Sequence, residues 1–152
     1  MAAYILKSDL AIWWDLNLLN QSLDLTEDST IEEIEAADLL IEKLSNSKEI
    51  EVKGLLLTRY KIDLEFAKTG GDRNAMLVEY LSKLIILELE ERKSMGMPSE
   101  HRIEKRKDIF ILLKRFTKGF EDPVIPEVTG MADPEYIGHN TFYVEWRDKI
   151  NY

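Results

Sequence analysis

The sequence has 152 residues and no cysteine, which suits a single domain and excludes both a disulfide framework and a thiolate metal site. It contains no apolar run of about 18 residues, so a helical membrane span is excluded. The amino terminus lacks a basic stretch followed by an apolar one, so a protein made and used in the host cytoplasm, or in a particle assembled there, is expected.

The net charge of −9 is unevenly distributed along the chain. Residues 1–52 hold twelve of the 29 acidic residues and three of the 20 basic ones, which leaves seventeen of each sign in the rest. An acidic half repels phosphate, which argues against general nucleic-acid binding. We expect these carboxylates, Glu32 and Glu35 among them, to lie on solvated helix faces or to meet a basic surface.

The first predicted helix begins near Ser8, which can cap it, and ends near Asn20. Its apolar residues follow helical spacing: Leu10, Trp13, Trp14 and Leu18. Adjacent tryptophans cannot share one helix face, so we expect one in the core and the other at an edge or on a partner.

A second helical pattern runs from Thr30 to Tyr60 and begins with a capping box, Thr30 with Glu33 or Ser29 with Glu32. The polar residues 45–47 interrupt it, which favours one bent or broken helix over two helices with a corner. We interpret Gly54 as a mark of close packing. The next segment, Lys61–Phe66, alternates apolar and polar residues and is predicted to be a short strand or extended loop.

The segment Asp72–Met95 is predicted to be the central helix, with Asp72 as its cap and Gly96 and Pro98 as its end. Ile86 lies near its polar face, so the helix is apolar almost all round. We therefore expect another helix or subunit to cover Ile86. Glu88 projects onto the apolar side and should either lie near its rim or meet a base from a neighbouring helix.

The last predicted helix runs from about Ser99 to Lys118 and ends at Gly119. Its bases outnumber its acids and include Arg102, Arg106 and Lys114. A basic helix can contact nucleic acid. Because the bases are scattered round this helix, we favour a complement to the acidic half, within the chain or between chains.

Residues 120–152 contain three prolines, two glycines and six of the fourteen aromatic residues, without a helical period. Disordered linkers are poor in aromatic residues, so we predict an arm that becomes ordered on a partner. The expected anchors are Tyr136, Phe142, Tyr143, Trp146 and Tyr152. Since the helices already supply apolar seams for one another, the arm is not expected to complete the core, and deleting residues 127–152 should leave the helical domain intact.

No catalytic or cofactor-binding motif is present. His101 and His139 lie far apart without a nucleophile or metal-ligand pattern, and no phosphate loop or dinucleotide fingerprint occurs. We predict a protein that is not an enzyme and has no cofactor. The expected fold is all-α: a bundle of about four helices with a short extended segment (residues 1–119), followed by a long irregular arm (120–152).

The order of features resembles the small all-α head–tail connector proteins, also called adaptor or head-completion proteins, of tailed bacteriophages. The likeness covers roughly residues 4–126. It runs from YILKSDL (4–10), through LLLTRY (55–60) and the apolar helix, to RIEKR (102–106), LLKRFTKG (112–119), Pro123 and Pro126.

The resemblance implies a structural virion protein at the neck. Such proteins form a ring, commonly of twelve copies, beneath the portal protein, extend the DNA channel without binding DNA specifically, and dock a neck or tail protein. In that setting the carboxyl-terminal arm would contact the portal, and Ile86, Arg102, Arg106, Lys114, Glu32 and Glu35 would lie between subunits. The alternatives are a helical nucleic-acid-binding subunit of a ribonucleoprotein or regulatory complex, and a monomeric helical adaptor domain.

Overall fold

The computed structural model describes residues 3–94, 99–120 and 123–128. Over these residues the chain is all-α, as predicted. The long helices are α3, α5 and α6, and the short ones pack beside them. In chain order the helices are α1 (Lys7–Trp13), α2 (Leu16–Ser22), α3 (Ile31–Leu56), α4 (Ile62–Phe66), α5 (Ala75–Lys93) and α6 (Glu100–Thr117).

Helix α5 is the central helix, as predicted, and packs against α1, α2, α3 and α6. Its fully buried side chains include Leu77, Leu81, Leu84 and Ile85. The cap is Asn74 rather than Asp72, because the Asn74 side chain accepts hydrogen bonds from the backbone N–H groups of Met76 and Leu77, both at 3.1 Å. Asp72 lies in a preceding 3₁₀ turn, Gly70–Asp72, and the predicted end at Gly96 and Pro98 lies outside the described residues.

Helix α3 is continuous over 26 residues, and the Thr30–Glu33 capping box is present. The polar residues at 45–47 do not interrupt it, since the buried Ser45 hydroxyl is satisfied inside the fold. It accepts a hydrogen bond from the backbone N–H of Ile5 at 3.1 Å and donates one to Glu49 at 2.7 Å. Gly54 does not mark close packing, because a Cβ built there meets nothing within 4 Å.

The amino-terminal segment forms two short helices, not the single predicted one. Trp14 is extended (φ −141°) and ends α1, and the Asp15 side chain caps α2 through the N–H groups of Asn17 and Leu18. Ser8 is not the cap of α1; instead the Asp9 carboxylate accepts from the Leu6 N–H at 2.8 Å. Trp14 packs partly against the core and Trp13 is exposed, which matches the expected division between the two tryptophans.

The prediction of a strand over Lys61–Phe66 is wrong. These residues form α4, whose buried residues Ile62 and Glu65 are three positions apart while Leu64 is exposed. The sequence alternates only because Glu65 is polar and yet buried. The nearest β pairing among the described residues is an isolated antiparallel bridge between Tyr60 and Glu127.

Residues 123–128, at the start of the predicted arm, lie against the helical domain. The Lys61 N–H donates to the Pro126 carbonyl at 2.8 Å, and the Val128 N–H donates to the Arg59 carbonyl at 2.9 Å. Ile125 is only 4% exposed and belongs to the core. The expectation that the core is complete without residues beyond 119 is therefore wrong for this short segment.

Candidate functional site

A buried ion pair attaches the amino-terminal segment to the start of α5. Arg73 reaches both carboxylate oxygens of Asp9, at 2.7 and 3.0 Å, and also donates to the Tyr4 carbonyl. The hydrogen bond to Asp9 raises the pKa of the Arg73 guanidinium above its usual value, although burial opposes that shift. The pair therefore fixes α1 and the exposed side chains that α1 and α2 carry.

A second polar cluster surrounds the buried carboxylate of Glu65. It accepts from the Tyr4 hydroxyl at 2.9 Å, from the Asn74 N–H at 2.6 Å and from Lys68 at 2.6 Å. Burial, followed by the hydrogen bond and charge of Glu65, raises the pKa of the Tyr4 phenol far above its usual value. Both oxygens of this carboxylate accept from the protein's own groups, so the cluster holds α4 and the start of α5 together.

Glu88 meets bases from two neighbouring helices, which confirms the second of the two alternatives expected for it. Lys48 of α3 lies 3.2 Å from its carboxylate and Arg106 of α6 lies 3.3 Å away. Arg106 also pairs with Glu91 at 3.1 Å, and Arg102 with Glu90 at 3.4 Å. Two of the predicted inter-subunit bases, Arg102 and Arg106, thus have acidic partners on α5 of the same chain.

An open groove, here called the acid-rimmed groove, lies between the segment before α1 and the first half of α3. Its apolar lining includes Leu6 and Leu39, both about half exposed. Three acids of α3 border it: Glu35, Asp38 and Glu42. Lys7 is the one base among the lining residues. The predicted residue Glu35 therefore lies on an acidic face that also carries exposed apolar side chains, and Glu32 is exposed one turn earlier on the same helix.

A second open groove, the base-rimmed groove, lies along the outer face of α6. Ile103 and Ile111 are 40% and 57% exposed within it, and Phe110 is partly buried at its floor. Lys107 and Lys114 border it and are exposed. Its one acid, Glu91, is already paired with Arg106. The predicted base Lys114 is thus a rim residue of an apolar surface.

A third cleft, between α1, α5 and α6, holds the two tryptophans and Ile86. Lys83 lies over the Trp13 ring, 4.8 Å from its centroid. Ile86 is partly buried and packs against the core rather than standing alone on a polar face. The chain's own core therefore covers part of Ile86, which was expected to lie under another helix or subunit.

The apolar periodicity of the helices did not predict several of these surface features. Leu39, Ile103 and Ile111 lie off the buried seams of their helices, and that displacement was the available signal for an apolar contact face. No sequence signal indicated that Asp9, Glu65 and Arg73 are buried. Asp9 and Arg73 are more than 60 positions apart, and so are Glu65 and its partner Tyr4. The predicted arm anchors Tyr136, Phe142, Tyr143, Trp146 and Tyr152 lie outside the described residues, as does His139, and His101 is exposed.

Within residues 3–94, 99–120 and 123–128, no group of three or more potential ligands is placed to hold a metal ion, and no helix is long and apolar enough to cross a membrane. Comparisons with protein-family models, with curated proteins and with solved structures found no match to this chain.

Proposed function

We propose that this protein is a subunit of the neck ring of a tailed bacteriophage, which docks under the portal protein and joins the head to the tail. The proposal is carried by the order of its helices. Two short amino-terminal helices, a long α3 ending before Thr58-Arg59-Tyr60, an apolar α5 and a basic α6 ending before Gly119 keep the order of features on which the resemblance to connector proteins rests.

The distribution of exposed apolar side chains supports an assembly role. Large apolar residues are exposed on four helices: Trp13 on α1, Leu16 on α2, Leu39 on α3, and Ile103 and Ile111 on α6. A ring subunit contacts a neighbour on each side and other proteins above and below, so exposed apolar side chains on several of its helices suit that role. A structural role in the virion accounts for these surfaces without any catalytic group.

Binding to the portal protein encoded in the same genome tests the proposal. The two proteins are co-expressed and analysed by size-exclusion chromatography with light scattering and by negative-stain electron microscopy. A complex with many copies of this chain on one portal ring is expected. Absence of the chain from purified virions, together with no binding to the portal, would refute the assignment.

Deletion of residues 129–152 tests the arm separately. Cutting at 129 rather than 127 keeps Glu127 and Val128, which contact the helical domain. The truncated protein should keep its helical circular-dichroism signal and lose portal binding. If it binds the portal as well as the full chain does, the aromatic residues beyond 128 are not the portal anchors.

The nucleic-acid alternative rests on the exposed lysines of α6, Lys107 and Lys114 among them. Two neighbouring arginines, Arg102 and Arg106, have acidic partners on α5, which reduces the positive charge that α6 presents to a phosphate backbone. A salt-dependent shift of labelled DNA or RNA, abolished by Lys107→Glu with Lys114→Glu, would favour this alternative over the connector.

A further inference from the structure

The acid-rimmed and base-rimmed grooves are complementary in charge. Each combines exposed apolar side chains with a rim in which one sign of charge predominates, three acids with Lys7 in the first and three bases with Glu91 in the second. On α3 the groove residues recur at three and four positions (35, 38, 39 and 42), and on α6 they do the same (103, 107, 111 and 114). Helix faces of this kind pack against each other with the apolar stripe inside and the charges at the rim.

The two grooves share no lining residue, and both are open among the residues that the structure describes. Neither groove therefore covers the other within one copy. A second copy, however, presents the missing face to each of them. An acidic rim facing a basic rim also favours this pairing over acid with acid or base with base, because like charges brought together at an interface cost several kcal/mol.

We infer that copies of this chain associate head to tail, with the acid-rimmed groove of one copy docked on the base-rimmed groove of the next. Leu39 of one copy meets Ile103 and Ile111 of its neighbour, while Glu35 and Asp38 face Lys107 and Lys114. Because two different surfaces meet, the contact is heterologous and leaves one free face at each end, so successive copies close into a ring or extend as a filament.

This contact deepens the ring component of the proposed function by naming its surfaces. It also relocates the inter-subunit residues. Arg102 and Arg106 are engaged with α5 of their own chain and Ile86 packs on the core, so the contact depends instead on Lys107, Lys114 and the exposed isoleucines of α6.

Because the chain has no cysteine, single cysteines placed on separate copies test the contact directly. Leu39→Cys protein and isotopically labelled Ile111→Cys protein are mixed and treated with a short bismaleimide, and the products are identified by mass spectrometry. The mixed 39–111 product should exceed the 39–39 and 111–111 products. Cysteines at Glu27 and Lys118, which are exposed and line neither groove, give the background for random collision.

Charge reversal then tests the rims. Glu35→Lys with Asp38→Lys on the Leu39→Cys copy should lower the mixed product about tenfold or more. Adding Lys107→Glu and Lys114→Glu to the Ile111→Cys copy should restore it, since both rims are then exchanged. Reversals outside the grooves, Glu27→Lys with Asp28→Lys and Lys93→Glu with Lys118→Glu, should leave the mixed product unchanged.

A mixed product no greater than the background, or a dominant 39–39 or 111–111 product, would overturn the head-to-tail contact. A mixed product that is lowered by one charge reversal but not restored by the second would overturn the assigned pairing of the rims. The outcome is independent of portal binding, so a positive cross-link with no portal complex would leave this contact standing while refuting the neck-ring assignment.

Discussion

The Arg73–Asp9 pair offers a sharp test of what holds the amino-terminal segment in place. Both side chains are about nine-tenths buried, and two hydrogen bonds of 2.7 and 3.0 Å join them. Arg73→Met leaves the Asp9 carboxylate buried with the Leu6 N–H as its remaining hydrogen-bond donor. Removing one partner of a buried pair costs about 3–5 kcal/mol. That is a large part of a total stability of about 5–15 kcal/mol.

In a protein of this size each kcal/mol shifts the melting temperature by about 2–4 °C, so a fall of roughly 6–20 °C is expected for Arg73→Met. The assay is thermal unfolding followed by far-UV circular dichroism. Lys53→Met is the matched control, since Lys53 pairs with Asp63 in an exposed position. An exposed pair contributes about 0–1 kcal/mol.

Adding Asp9→Asn to Arg73→Met should recover about 1 kcal/mol or more, because the amide still accepts from the Leu6 N–H and no charge is left buried. Two results would refute this reasoning. One is a melting temperature for Arg73→Met equal to that of Lys53→Met. The other is a double variant whose loss equals the sum of the two single losses.

Three further predictions concern other parts of the fold. Ile125→Ala should destabilise the domain by about 2–4 kcal/mol in urea unfolding, because Ile125 is buried in the core; a loss below about 0.5 kcal/mol would show that residues 123–128 do not pack as described. Tyr4→Phe should flatten the loss of stability above about pH 10: the folded-state pKa of Tyr4 is raised, so its contribution is present below the unfolded value and is lost as the pH rises past it. Parallel alkaline limbs for Tyr4→Phe and the parent chain would contradict this. Gly54→Ala should stabilise α3 by about 0.5–1 kcal/mol, since Ala favours a helix interior and a Cβ meets nothing within 4 Å, and a lower melting temperature would contradict the open packing at this position.

Local signals in the sequence predicted the long helices because those signals act within a few residues. The Thr30–Glu33 capping box is present and Gly119 follows the end of α6, where it has the positive φ of 73° that suits glycine after a helix. The apolar face of α5 was strong enough to identify the central helix. A base beside Glu88 was one of the two alternatives expected for it, because a carboxylate on an apolar face needs a partner.

Two of the errors arose where a polar residue is buried by a partner distant in sequence. Glu65 gave Lys61–Phe66 the alternation of a strand, yet its carboxylate is buried because Tyr4 and Asn74 donate to it. Ser45 was interpreted as part of a helix interruption, yet its hydroxyl is hydrogen-bonded to Ile5 and Glu49 within the core, so the helix continues through it.

The sequence by itself determined the fold class, the central helix and the uneven charge, because these depend on local propensity, periodicity and composition. Only the tertiary structure decided which charges remain available at the surface. Arg102 and Lys114 are both bases of α6, but Arg102 lies beside Glu90 of α5 whereas Lys114 lies at the rim of an apolar groove. That difference depends on how α5 and α6 pack side by side, since the rotation of a helix against its neighbour decides which of its charged residues find partners within the chain.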